Sequence, residues 1–270
     1  MSYSSAYCLL DVGGTFIKCA DGRQVPIVSD GSREEIAAAL NEAIGPTECL
    51  EGVGIAIPGP FNYAEGLFLM QHKFASVFGV SFRELTHLPE HIVLKFHHDV
   101  NITLRGAIRI LGLEERNTAL VTLGTGLGFA HAVNGKVRYN EMGSPARNLW
   151  NIPVEEGGIL EDRISARGIR AAYVHKTGDS TSSVLTIARR AYEEEKAARE
   201  VFSDLGCQLG DALEDIMNEL GLDTLLMGGQ IAKSLNLILP SLQERLEGIR
   251  ILPLPEGAVF EGLASLFENE

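Results

Sequence analysis

Two glycine turns, each set between apolar runs, constrain this chain more than any other feature. The first follows the apolar residues 6–10 and reads Asp11-Val12-Gly13-Gly14-Thr15-Phe16-Ile17-Lys18. The pattern predicts a strand, a tight turn and a second strand. Alone it admits two readings. One is an ordinary Asp-Gly-Gly hairpin turn. The other is a phosphate loop, because a turn without side chains lets backbone N–H groups approach an anion closely. In that reading Asp11 holds magnesium through water, since the ion keeps much of its hydration. The second turn, Leu123-Gly124-Thr125-Gly126-Leu127-Gly128, again stands between apolar runs, within residues 119–130. Two such units, one opening each half of the chain, predict two similar domains facing a shared cleft, with one loop from each on the phosphates of a nucleotide. Neither loop is a Walker A motif, which needs G-x-x-x-x-G-K-[ST]. The second is no Rossmann fingerprint either: Gly124, Gly126 and Gly128 are evenly spaced, and strand-like sequence follows where a helix should begin.

Charge and composition exclude several classes. A net charge of −13 over 270 residues argues against a nucleic-acid surface, which requires a basic face. It also means that an anionic ligand must be held by local positive groups against the field of the whole molecule. No apolar run is long enough to span a bilayer, so no membrane partner is expected. The opening residues 1–5 lack a basic stretch followed by an apolar one, so no signal peptide is expected and the location is expected to be cytoplasmic. Cys8, Cys19, Cys49 and Cys207 show no C-x-x-C spacing and read as free thiols of a reducing compartment.

Along the first half, Ser32-Arg33-Glu34-Glu35 is a capping box that opens a helix to about Ile44. Residues 53–57 form a strand stopped by Pro58-Gly59-Pro60. Residues 92–96 form another, running through His97-His98-Asp99 into a helix over 100–111. The boundary between halves is expected near residues 113–117. The second half opens as a hairpin closed by Asn134-Gly135. A long loop over 140–158, helices over 161–221, a strand over 224–227, a last strand over 249–252 and an apolar helix over 257–267 follow. Within these helices Glu193-Glu194-Glu195-Lys196 reads as a solvated helix face. The fold class is α/β, with domains at 1–114 and 115–255.

Six segments now carry a resemblance. Residues 11–18, Gly54-Ile55-Ala56-Ile57-Pro58-Gly59-Pro60, His98-Asp99-Val100-Asn101, residues 123–128, Asn140-Glu141-Met142-Gly143 and Leu226-Met227-Gly228-Gly229-Gln230 stand in the order seen in ROK-family sugar kinases. That family belongs to the actin/hexokinase-like ATPase superfamily. The resemblance implies a two-domain actin-like ATPase (ribonuclease H-like) fold with a cleft between the domains, the first completed by a C-terminal helix over 256–268. It implies glucokinase-like phosphorylation of a hexose or hexose derivative, with ATP, magnesium and the sugar as ligands, in a homodimer.

From position alone, Asp99 is either a helix-capping aspartate or a base projecting from a strand end into a cleft. Its match to the family's N-D-x-N motif implies the catalytic base, and implies that Asn101 contacts substrate; His98 stands where the family has asparagine. Glu141 matches the glutamate of G-E-x-G-H, implying contacts to sugar hydroxyls, with Ser144 in place of the histidine. Glu161 matches the glutamate of G-C-L-E. Asp11, Gly13, Gly14, Thr15 and Lys18, with Gly124, Thr125 and Gly126, are implied on the phosphates, and Gly228 and Gly229 against the adenosine. His72 and Lys73 fall near the family's sugar-contacting asparagine, where the local match is poor. Many relatives bind zinc through that histidine and three cysteines. Here no cysteine lies between Cys49 and Cys207, so no structural zinc is expected. The resemblance leaves two further readings. One is a catalytically weak or inactive sugar-binding sensor or regulator. The other is a kinase using polyphosphate, although no Lys/Arg track for a polyanion is evident. The presence of Asp11, Asp99 and both glycine loops favours catalysis.

Overall fold

A computed structural model describes residues 4, 6–155 and 157–268; the rest of the opening segment read for a leader lies outside these. In the first half the apolar runs form β1 (Tyr7–Val12), β2 (Phe16–Cys19), β3 (Gln24–Pro26), α1 (Arg33–Ile44), β4 (Gly52–Ile57), the short pair β5 (Phe61–Asn62) and β6 (Leu67–Phe68), α2 (Phe82–Thr86), β7 (Val93–His98) and α3 (Asp99–Leu111). The sheet order is β3-β2-β1-β4-β7. The first three strands form an antiparallel meander, and β1, β4 and β7 run parallel. Strand β4 is buried at every position, as a central parallel strand covered on both faces should be. Helix α1 starts where its capping box predicts. Glu35 N–H donates to Ser32 Oγ at 3.2 Å and Ser32 N–H to Glu35 Oε2 at 2.7 Å.

The second half forms β8 (Thr118–Leu123), β9 (Leu127–Val133), β10 (Lys136–Val137), α4 (Leu160–Ile164), α5 (Ala166–Thr177), α6 (Val184–Tyr192), α7 (Lys196–Glu219), β11 (Thr224–Gly228), α8 (Leu235–Arg245) and β12 (Arg250–Pro253). Its sheet, β10-β9-β8-β11-β12, repeats the first: a meander, then two strands parallel to the meander's first. The β9–β10 turn uses positive φ at Asn134 (50°) and Gly135 (68°), the geometry a two-residue hairpin demands. Glu193–Glu195 is not the solvated helix face expected from its charge. The chain breaks there between α6 and α7, with Glu194 at φ 66°. The Tyr173 hydroxyl donates to Glu195 Oε1 at 2.7 Å. A side-chain bond from another helix, α5, meets the chain where the helix stops.

The chain divides into two compact units. One takes the described residues up to Gly112, Val137–Ala146, and those from Pro255 onward; the other takes Leu113–Lys136 and Arg147–Leu254. In the first unit α9 (Ala258–Ala264) lies on α3 backbone to backbone. A Cβ on Gly106 would come within 1.8 Å of Ala258 O, and one on Gly262 within 2.0 Å of Ile102 O. Only glycine permits this approach.

Candidate active site

Register in the first sheet decides which side chains meet. Asp11 lies opposite Ala56, and Ile57 opposite His98. The carboxyl ends of β1, β4 and β7 therefore deliver Asp11, the Pro58-Gly59-Pro60 turn and Asp99 to one edge, where open α/β sheets bind ligands. His98 is the N-cap of α3 and Asp99 its first residue, so Asp99 is not the capping residue itself. Asp99 Oδ1 accepts from its neighbour's Val100 N–H at 2.8 Å and lies 2.9 Å from His98 Nδ1. Among the described residues Oδ2 has no partner, and the side chain is 34% exposed. Desolvation pushes this carboxyl up. The His98 hydrogen bond and charge, the Val100 N–H and the Lys73 charge outweigh it and hold the group below the usual carboxylate value.

The loop after β10 closes one wall. Asn140 Oδ1 accepts from Met142 N–H and Ser144 N–H, each at 3.0 Å. Asn101 Nδ2 donates to Gly143 O at 3.3 Å, tying the loop to α3. A Cβ on Gly59 would lie 3.4 Å from both Ser144 Oγ and Tyr63 Oη and 3.7 Å from His98 Cδ2. Ser144 thus stands beside Tyr63 and His98, near Asp99. Burial, then the Asp99 charge, raises the Tyr63 phenol, with Ser144 acting the other way; it stays a protonated donor. Glu141 on this loop is exposed and makes no hydrogen bond among the described residues. Sequence reasoning missed Tyr63, which carries no motif.

At the first glycine turn Gly13 N–H donates to Phe16 O at 3.0 Å, closing the hairpin. Gly14 N–H and Thr15 N–H have no partner among the described residues. Lys18 lies across from Asp11 in the β1–β2 register, and its Nζ is 3.2 Å from Asp11 Oδ2. Desolvation raises the Asp11 carboxyl against the Lys18 charge, and the Asp99 charge adds to the rise.

The second unit makes its own cluster. Gly124 N–H donates to Gly126 O at 3.0 Å, and Gly124 O accepts from Ala166 N–H, the first residue of α5, at 2.9 Å. Glu161 Oε2 accepts from Leu127 N–H at 2.9 Å, while Oε1 lies 3.2 Å from Arg167. Oε2 thus braces the glycine loop, and Oε1 ties the same side chain to α5. Thr125 N–H and Gly126 N–H have no partner among the described residues. Gly228 lies opposite Thr122, and Gly229 takes φ 86° with its missing Cβ only 2.1 Å from Leu123 O. Both glycine motifs of this unit therefore meet at the carboxyl ends of β8 and β11.

Two sheets of the same order, each with a glycine turn after its first strand, define the two-domain actin-like ATPase fold. The ROK family model matches residues 6–254, and the chain belongs to the ROK family. A glucokinase of Halalkalibacterium halodurans is 25% identical, over 94% of this chain and 89% of that protein. Among solved structures, a ROK family glucokinase from Streptomyces griseus in complex with glucose and AMPPNP superposes with a TM-score of 0.75. It is 21% identical, covering 95% of this chain and 97% of that one. A ROK family transcriptional regulator, a homologue of the E. coli MLC protein, superposes at 0.76 with 17% identity, covering 96% and 77%.

Proposed function

We propose that this chain is a sugar kinase that transfers the γ-phosphoryl group of ATP to a hydroxyl of a hexose or hexose derivative. The observation that carries the reading is the Asp99 carboxylate. One oxygen is fixed by His98 and the Val100 N–H and the other is open, on the sheet edge that also presents Asp11 and the unused N–H groups of Gly14 and Thr15. The hydroxyl oxygen bonds to the γ-phosphorus, the bond to the bridging oxygen breaks, and its electron pair leaves with ADP. The hydroxyl proton passes to Asp99 Oδ2. A base held below the ordinary carboxylate value suits a loose transition state, in which the proton becomes acidic only late.

Glu141 and Asn101 act on the sugar in this reading, Asn101 through the loop it holds. The N–H groups of residues 14–15 and 125–126 cradle phosphates, and Gly228-Gly229 lies against the adenosine. Glu161 serves the sugar, or the glycine loop that it braces. Lys18 sets the position of the Asp11 carboxylate. Asp11 Oδ1 has no partner among the described residues, which fits a magnesium held mostly by water and phosphate oxygens; when bound it would neutralise phosphate charge. A structural zinc does not fit. Cys8 and Cys19 lie in β1 and β2 and Cys207 in α7, and Ser144 offers no nitrogen or sulfur. A homodimer completes the proposal, resting on the resemblance, and a cytoplasmic location rests on the free-thiol reading of the cysteines.

The likeness to a transcriptional regulator favours one second reading, a sugar-binding regulator without turnover. An ADP-release assay over hexoses, amino sugars and N-acyl sugars decides between them. ADP formed with at least one sugar supports the kinase. Sugar binding without ADP from any of them supports the regulator.

A further inference from the structure

Lys73 has no part in the site as read from the motifs, yet the first unit holds it against the glycine turn. A Cβ on Gly14 would lie 3.6 Å from Lys73 Nζ and 3.5 Å from Ser29 Oγ. The position is built by the fold. Phe74, buried and at φ 55°, donates its N–H to Ser29 O at 2.5 Å. Ser76 Oγ donates to Gly31 O at 2.7 Å, and Ile27 N–H to Thr15 O at 3.0 Å. These bonds tie residues 73–76, the stretch after β3 and the glycine turn into one assembly. The ammonium is uncommitted: Lys73 makes no hydrogen bond or salt bridge among the described residues. Lys18, the other cation at this turn, is paired with Asp11. In a chain of net charge −13, a phosphate needs such a local cation. Lys73 also acts electrostatically on Asp99, so its charge reaches the base as well as the turn.

We propose that the Lys73 ammonium contacts the transferring phosphoryl group and stabilises the charge on its oxygens. It takes no part in proton transfer. A compact ammonium suits a phosphoryl group as a point charge. The assignment rests on the kinase reading for its chemistry, but its first test does not need a sugar.

Calorimetric titrations with Mg-ADP and Mg-AMPPNP compare the wild type with Lys73→Met, Lys73→Gln and Lys73→Arg, each checked for folding by circular dichroism. The two neutral variants should keep ADP affinity and lose about tenfold or more of AMPPNP affinity, the scale of one charge-assisted hydrogen bond; arginine should restore part of it. With a turned-over sugar, kcat of the neutral variants should fall ~10²-fold, as when one donor to a developing charge is removed, with the sugar KM little changed. Unchanged AMPPNP affinity, or equal losses of ADP and AMPPNP affinity, overturns the assignment. So does a raised sugar KM at unchanged kcat, which would put Lys73 on the sugar. If the wild type phosphorylates no sugar, the kinase reading fails and the nucleotide comparison still decides Lys73.

Discussion

The two sheets share one strand order and one turn, yet their neighbouring strands end differently. In the first unit, β7 ends at His98-Asp99, and the turn carries Asp11 beside Lys18 and Lys73. In the second, β12, the counterpart of β7, ends at Pro253, and the turn is braced by Glu161 and the first residue of α5. Both turns leave two N–H groups open. A glycine turn alone is therefore an anion cradle. Acidic side chains delivered by adjacent parallel strands add chemistry, and among the described residues only the first unit has them. In the second, the acidic side chain beside the turn is spent on holding the backbone.

The comparison is easiest to break at Asp99. Asp99→Asn should lower kcat by ~10²–10⁴-fold, the usual contribution of a positioned base, with sugar affinity and thermal stability nearly kept. Near wild-type turnover would remove the chemical distinction between the units. The wild-type acid limb assigned to Asp99 should lie below pH 3.8, because the group is held below that value.

A smaller effect is expected at Asp11. Asp11→Asn should raise the magnesium concentration for half-maximal activity by roughly tenfold, about one charge-assisted interaction, with little change in sugar KM. An unaltered magnesium dependence would separate Asp11 from the metal.

Glu161 sharpens the contrast from the other side. Glu161→Gln loses the pairing with Arg167 and weakens the bond to Leu127 N–H, so the ATP KM should rise several-fold, on the order of 1 kcal/mol. If the sugar KM rose and the ATP KM did not, Glu161 would be a sugar ligand and the second unit would share in substrate recognition.

The smallest effect concerns stability. His97 packs on Tyr139 with the rings tilted by 50° and their centroids 5.3 Å apart. Burial first, then the charges of Arg105 and His98, lowers its pKa from 6.5 to about 4. The unfolded chain binds the proton first, so this group reduces stability as pH falls from 6.5 to 4 and has no effect above that window. His97→Gln should flatten the melting temperature between pH 7 and 5. An equal slope in wild type and variant would move the acid sensitivity elsewhere.

Much of the fold was legible because it is written in near neighbours. The Ser32/Glu35 capping box, the Asn134-Gly135 turn and the strands around both glycine turns depend on residues within a few positions of one another, where backbone preference and side-chain hydrogen bonds act directly. The helix break at Glu193–Glu195 was not legible, because the Tyr173 hydroxyl that meets Glu195 comes from another helix. At the candidate site, Asp11 and Asp99 could be picked out from strand ends and motif order. Tyr63 could not, since it lies in no repeat or recognisable spacing, and Lys73 stood only in a stretch that matches the family poorly.

The amino-acid order by itself determined the strand-turn-strand units, their duplication and the acidic residues at the ends of β1 and β7, because periodicity and glycine placement act over short stretches of chain. Tertiary structure alone decided that Lys73 reaches Gly14, that Ser144 stands beside Tyr63 and His98, and that Glu161 grips the backbone of its own glycine loop. Those contacts join segments far apart in sequence. They exist only once parallel register and helix packing have set the distances at which charge and hydrogen bonding act.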